Sequence, residues 1–573
     1  MIKTIIQVFL LSLITLNVNA QYQGQTFVVD CSKGGFNNNL NTDIVSANSM
    51  AEGTRNLNIH NAGRQKRGGT AHVNSTAIAG AAIGVTFEDT DDVVWADTED
   101  VVFQTNTTPR IYGLYQFRLK NGTEFIITAT DDGKIRSDYT TTIGTGLTID
   151  QAVHFETFNN LLVICTGNNL PQIWNGTGSI SAMANIPTDW VGLFNYPRKM
   201  VKHGRGASER LWAVGGAIDP FTVYASGLNL ADGTTEPDFS DTEVITISIE
   251  TSDGFGIINA VEFTDRLLCA GKNRIYIIDD LDIDTANWGY EKSAWEGGTA
   301  SDRTLIAVSN DVISLTEDGT CYSVTGTQTY GDYKKATLTR PAFMDEWIRS
   351  NVDLTAINDF HMVYDPVLRA VYLFVVRKFE TEIDTALVYF IDRGPEQGWM
   401  IKDNLLHDSG YKCSASALIR KTIGDNKVYT GGFSDGFVWE LETTALTDNG
   451  NGYASGFKTP RFHLGDPRKT KRFDTGWIVA TSTSSNNLLV DVWIDGKIRN
   501  QQVVKLTGVG GVYGSAIYGE SVYGGTSQLS ETSFPIGEDG KRIAVSVHND
   551  NSSEDFFITL LMVDFEVLGT LPD

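Results

Sequence analysis

Paired cysteines are missing from this chain. Five occur in 573 residues, Cys31, Cys165, Cys269, Cys321 and Cys413. They are scattered singly, with no CxxC and no Cys/His ligand spacing, so they read as buried thiols and neither a disulfide frame nor a zinc site is expected. Histidine is scarce too: there are eight, with no HExxH and no pair at ligand spacing. The chain also lacks a GxSxG elbow and a P-loop, which removes the commonest serine-hydrolase and nucleotide-hydrolase signatures. Positive charge is in deficit, with 45 Lys plus Arg against 70 Asp plus Glu and a net charge of −25. That balance argues against a general nucleic-acid binder and against a protein held on an anionic membrane. Long apolar runs are absent beyond residues 5–16, a stretch too short to be a good membrane span, so the mature chain is expected to have none.

What is present is strand-forming sequence. Short alternating segments such as "TEFIITAT", "NNLLVICT", "NRIYIID", "AVYLFVV" and "FVWELE" are rich in Val, Ile, Tyr, Phe or Thr and are bounded by Gly, Asn or Asp turns. The expected class is all-β. The segments recur in a loose unit, placed near Tyr112, Phe155, Val201, Val261, Ile306, His361 and Ala415, at steps of about 43 to about 60 residues. That spacing fits the four-stranded blades of a β-propeller, because one small sheet cannot bury both faces and radially stacked sheets cover each other. Two stacked sandwich domains would give similar strand counts. The expected division is therefore a leader or N-terminal arm over residues 1–20, an extended or β segment over 21–105, a β-propeller over 106–445, and a C-terminal β-sandwich-like domain over 446–573. In the leader, Lys3, the apolar run and Val18 and Ala20 before Gln21 match a secretory signal pattern; the alternative is a segment that stays attached.

Few residues point to chemistry. In "DLDIDTANWGYE", Asp280, Asp282, Asp284 and Glu291 occupy positions 1, 3, 5 and 12 of a calcium loop, but Thr285 stands where the sharp turn needs glycine. The acidic run "VTFEDTDDVVWADTED" offers carboxylate pairs of the kind glycosidases use, and equally reads as a solvated face. Cys165 and His154 can be drawn as a pair, yet Cys165 sits in an apolar strand. No cofactor is expected. Tyr513, Tyr518 and Tyr523, each followed by glycine at a five-residue period, read as an extended loop with anchored aromatics, either a contact arm or a packed flap.

One basic phrase stands out from the acidic background: "NIHNAGRQKRGGT" carries Arg64, Lys66 and Arg67. It closes a longer stretch in which Gly34-Gly35-Phe36 leads through a polar segment to Asn61, Gly63 and Lys66-Arg67-Gly68. This stretch resembles the N-terminal signature of bacteriophage tail-nozzle, or head-to-tail stabilisation, proteins of short-tailed phages. Gly68 stands where that family often has proline. Three further phrases resemble the family in the same order: "GNNLPQIWNGTG" followed by "HGRGASERLWAVGGAIDPFTVYASG", then "VYTGGFSDGFVWELE", then "VYGSAIYGESVYGG". The resemblance implies a non-enzymatic virion component, a propeller with appended β-domains. It would form a homo-oligomeric ring, commonly sixfold, below the portal and adaptor, and contact other tail proteins. Double-stranded DNA would pass through without specific binding. On that reading Arg64, Lys66, Arg67, Tyr513, Tyr518 and Tyr523 are interface residues, the cations offering contacts to an acidic neighbouring subunit. Two other readings remain open: a secreted or periplasmic propeller that binds glycans or proteins at a cell surface, which accounts for the leader, and a secreted carbohydrate-active enzyme.

Overall fold

The computed structural model describes residues 24–39, 45–46, 48–60, 62–79, 82–86, 102–106, 108–204, 208–228, 235–251, 253–309, 311–326, 333–403, 412–422, 425–481, 486–506, 530–549 and 554–569. The chain divides into two compact units. One comprises residues up to Arg67, Glu396–Met400 and everything from Gly452 on; the other comprises Gly68–Pro395 and Ile401–Asn451.

The second unit contains seven four-stranded sheets among the described residues. Six are consecutive in sequence, with first strands Ile111–Arg118, His154–Phe158, Lys199–His203, Asn259–Phe263, Leu305–Val308 and His361–Asp365. The seventh starts at Cys413–Thr422 and takes its fourth strand, Gly69–His72, from far upstream. First strands touch one another in order, and Cys413–Thr422 returns to Ile111–Arg118, so the sheets form a closed ring of blades. This is a seven-bladed β-propeller, and the stacked-sandwich alternative for this region is overturned. All seven positions at which the repeat was placed fall in an innermost strand. We number the blades 1 to 7 from Ile111.

The periodicity explains the packing. In the strand Arg210–Val214, Leu211 and Ala213 pack with blade 2, whereas Trp212 and Val214 pack with blade 4. Side chains alternate between faces at period two, and both faces are covered, so the strand reads as continuously apolar. Each buried Leu or Val of such a layer contributes about 1.5–3 kcal/mol. The layer between blades 7 and 1 contains Ile111, Leu114, Ile419, Tyr429 and Val438, so the junction that joins chain ends is packed like the others. Two inner hairpins turn in two residues: Asn159 and Asn160 have φ of 47° and 63°, and Thr264 and Asp265 have 46° and 61°. Two successive left-handed residues match the twist of the flanking strands.

The first unit has two main sheets. One runs Leu57–His60, Gly63–Lys66, Phe557–Gly569, Thr470–Thr481, Ser530–Gly540, with Gln25–Asp30 also on Phe557–Gly569. The other runs Ser455–Lys458, Ile543–Asn549, Asn486–Ile494, Lys497–Leu506. The linear division therefore needs correction. The strands Gln25–Asp30, Leu57–His60 and Gly63–Lys66 are not a segment of their own but belong to a sheet of the C-terminal unit, and Gly69–His72 belongs to the propeller. Strand pairing is non-local, and Phe557–Gly569 offers one long edge that Gln25–Asp30 and Gly63–Lys66 share end to end.

Candidate functional site

The basic phrase lies inside the first unit. Arg64, Lys66 and Arg67 are 0%, 2% and 0% exposed. Arg64 stacks its guanidinium over Phe457 at 4.5 Å and donates from Nη2 to the carbonyls of Lys33 and Asn48. Lys66 donates from Nζ to Glu554 O at 3.2 Å, and Arg67 lies over Tyr453 at 3.8 Å and donates from Nε to Asn56 Oδ1 at 3.3 Å. Tyr453 in turn donates its hydroxyl to Arg67 O. Taking three cations out of water is costly unless hydrogen bonds and aromatic faces replace hydration. Both do so for Lys66 and Arg67, whereas Arg64 Nε and Nη1 have no hydrogen-bond partner among the described residues and that guanidinium relies on Nη2 and the Phe457 face. This corrects the interface assignment of Arg64, Lys66 and Arg67: their charged ends are buried within their own unit and do not reach the surface where an acidic neighbour would meet them. Tyr513, Tyr518 and Tyr523 lie outside the described residues, as does the acidic run from Glu88 to Asp100.

The calcium-like loop is described, and its carboxylates do not converge. Asp282 accepts the Asp284 N–H at 2.9 Å and Asn287 Nδ2 at 2.9 Å, while Asp284 accepts the Ala286 N–H at 3.0 Å and caps the short helix Thr285–Asn287. Asp280 turns to His203, and Glu291 sits in the strand Gly289–Lys292. Among the described residues no group of three or more His, Cys, Asp or Glu is placed to hold a metal. Cys165 and His154 are register partners on neighbouring strands, but Cys165 packs in the apolar layer with Trp190 and burial pushes its thiol up. All five cysteines are buried and free, as the sequence indicated.

Sequence reasoning missed the densest polar constellation, a collar at one end of the innermost strands. Asp302, 4% exposed, forms ion pairs with Arg198, Nε at 2.7 Å, and with His154, Nε2 at 3.1 Å. Lys199 Nζ donates to Asn259 Oδ1 at 2.6 Å, and Asn259 Nδ2 donates to Asp302 O at 2.8 Å. Arg303 donates to Ser414 O and Asp359 O, both at 2.8 Å, and Arg110 pairs with Asp359 at 2.8 Å. His361 lies between Asp359 O at 3.2 Å and Cys413 Sγ at 3.7 Å. Residues at the start of all seven blades are thus tied around the axis. Desolvation opposes ionisation of Asp302, but His154, Arg198 and Arg303 overcome it and hold its carboxyl far below the usual range. The available signal was a polar or charged residue at the head of every repeat, Arg110, His154, Arg198, Asn259, Arg303, His361 and Ser414, where strand periodicity alone calls for apolar ones.

A second constellation opens to solvent. A cavity of about 550 Å³ is lined by His203 and Arg210 from blade 3 and by Glu262, Asp265, Asp280 and Trp288 from blade 4. His203 is clamped between Asp280 Oδ2 at 3.1 Å and Glu262 Oε1 at 3.4 Å. Desolvation would lower its pKa, but Asp280 and then Glu262 outweigh that and raise it above the ordinary histidine value. Arg210 donates to Ser226 O and lies over Trp288 at 5.2 Å, and Trp288 stacks on Trp212 with centroids 5.8 Å apart.

The sequence matches no protein-family model and no curated protein. Similarity appears only in three dimensions. The chain is similar to BBS1N in a complex with ARL6DN, at 12% identity over 64% of this chain and 96% of that one, with a TM-score of 0.34. It is similar to YCF48 from Cyanidioschyzon merolae, at 10% identity over 59% and 96% of the two chains, TM-score 0.34. The β-propeller domain of Cps50 (Swd1) from Myceliophteria thermophila matches at 11% identity over 59% and 100%, TM-score 0.34. The fold is a propeller. That statement rests on the strand order and ring closure of this chain, and the resemblances add nothing about activity. No helix among the described residues is long and apolar enough to cross a membrane.

Proposed function

We propose that this protein is a structural subunit of a phage tail. It assembles as a homo-oligomeric ring, sixfold as is common in the family it resembles, below the portal and adaptor, and works without catalysis or cofactor. The observation that carries this reading is the four ordered phrases, together with what the first of them does in the chain. Gly34 has φ of +76°, and a Cβ there would sit 1.9 Å from Asn48 O. A Cβ on Gly63 would meet Ile558 O at 2.3 Å, and one on Gly69 would meet Thr447 O at 2.0 Å. With Arg64, Lys66 and Arg67 buried, the phrase is a fold-bearing element, and a sequence that carries it is expected to share this architecture.

The charge fits a conduit. A wall with excess carboxylates repels phosphates, so a duplex slides without releasing counterions onto the protein. Such a channel would belong to the ring of subunits. Electron microscopy of the purified full chain tests the reading: rings of sixfold symmetry are the expected result, and a monomer at tens of micromolar would sink it. The leader pattern of Lys3, residues 5–16, Val18 and Ala20 favours a second reading, an exported propeller that binds glycans or proteins at a cell surface. Amino-terminal sequencing of the protein from its native source separates the two, because processing before Gln21 belongs only to export.

A further inference from the structure

The cavity between blades 3 and 4 has features that neither packing nor ring formation requires. Its floor is His203, 2% exposed and held by Glu262 and Asp280. One oxygen of Asp280 is used in that contact; the other, Oδ1, is buried and has no hydrogen-bond donor from the protein. Four carboxylates line the space, Glu262, Asp265, Asp280 and Asp282, against Arg210 and the His203 imidazole. Arg210 is already committed to Ser226 O and the Trp288 ring. The cavity is therefore net acidic. Its lip is apolar: Leu228, Leu281 and Ile283 are 50%, 67% and 100% exposed. An isoleucine wholly in water beside an acidic hollow has no role in the propeller core.

We propose that this cavity docks a basic side chain, flanked by apolar residues, on a peptide segment of a partner protein. Charge complementarity chooses the occupant. The acidic hollow rejects phosphate and carboxylate ligands, and Glu262 and Asp265 offer carboxylate acceptors to a guanidinium or ammonium donor, with the unsatisfied Asp280 Oδ1 beneath adding negative potential. The apolar lip removes Leu281 and Ile283 from water when hydrophobic flanks close over it. A bare divalent cation or a polyhydroxylated sugar would leave that lip exposed, and both oxygens of Asp282 already accept hydrogen bonds within the loop. The site does not depend on the tail reading, since an exported propeller would carry it equally.

Calorimetric titration of the full chain with the peptide acetyl-Leu-Arg-Ile-Arg-Leu-amide tests the proposal. The expected result is saturable 1:1 binding that weakens with salt and vanishes when glutamate replaces both arginines. Asp280→Asn should weaken binding at least about tenfold. Because Asp280 also holds His203, two milder variants guard the conclusion: Ile283→Ser changes only a fully exposed side chain, and Asp265→Asn keeps a residue that tolerates its φ of 61°. Each should weaken binding by about threefold or more. Equal binding by the wild type and both of these variants overturns the proposal. So does displacement of the peptide by chitohexaose, or by calcium chloride beyond that caused by sodium chloride at equal ionic strength, which would make the cavity a glycan or a cation site.

Discussion

Lys402 shows how a single residue carries stability here. Its side chain is wholly buried, with Nζ 2.5 Å from Glu442 Oε1 and 3.0 Å from Tyr372 Oη. Removing one partner of such a pair strands the other in a low-dielectric interior. Lys402→Met is therefore expected to destabilise the propeller by about 3–5 kcal/mol, and the double variant with Glu442→Leu by less than the single one. Urea unfolding of the three proteins measures both. His361 gives a pH dependence. Desolvation, helped by Arg303, pushes its pKa well below the ordinary value, so the fold holds it neutral while the unfolded chain protonates it. Stability contributed by this group is present above about pH 6.5 and is lost as pH falls, at up to about 1.4 kcal/mol per pH unit. His361→Phe retains the stack on Phe374, whose ring centroid lies 4.7 Å away. It is expected to flatten the fall in Tm between about pH 7 and pH 5; an unchanged slope would assign the acid limb to other groups.

Among elements, the strand Gly69–His72 closes the ring by pairing with Val438–Thr443. Seven blades packed in a circle need one sheet completed by both ends of the propeller chain, or one edge is left open. Gly69 is the tight point, because the atom a side chain would strike is a backbone oxygen that cannot swing away. Gly69→Ala is expected to cost about 1–3 kcal/mol and to loosen blade 7 selectively. Hydrogen exchange reads this out as faster exchange over residues 413–443, with blades 2 to 5 unchanged; uniform loosening would show that the latch is not a local element. Most of the elements themselves were legible. The alternating segments and paired turn residues such as Asn159-Asn160 act locally, so strands and hairpins follow from them. The upstream latch left no mark, because "GTAH" has no strand pattern of its own and becomes a strand only against Val438–Thr443.

For the whole molecule, the ring reading predicts a particle near six times the 62.8 kDa subunit mass. Light scattering on the eluting peak checks this, and a peak at the subunit mass that persists at tens of micromolar contradicts it. The buried basic phrase alters what that interface uses. Charge reversal at Arg64 or Arg67 is expected to unfold the first unit and not to yield soluble, folded monomers, since these cations lie over Phe457 and Tyr453.

The sequence by itself determined the all-β class, the repeat positions of the blades and the free, buried state of the cysteines. Each depends on short-range periodicity, or on a residue type whose environment its neighbours already announce. Only the tertiary structure decided that strands between Gln25 and Lys66 build one unit with strands from Ser455 onward, that Arg64, Lys66 and Arg67 face inward, and that seven separate strand heads meet in one polar collar around Asp302. Most of these contacts join residues tens to hundreds of positions apart. No local pattern encodes them, because the partner that makes a buried charge tolerable is supplied by folding and not by sequence neighbours.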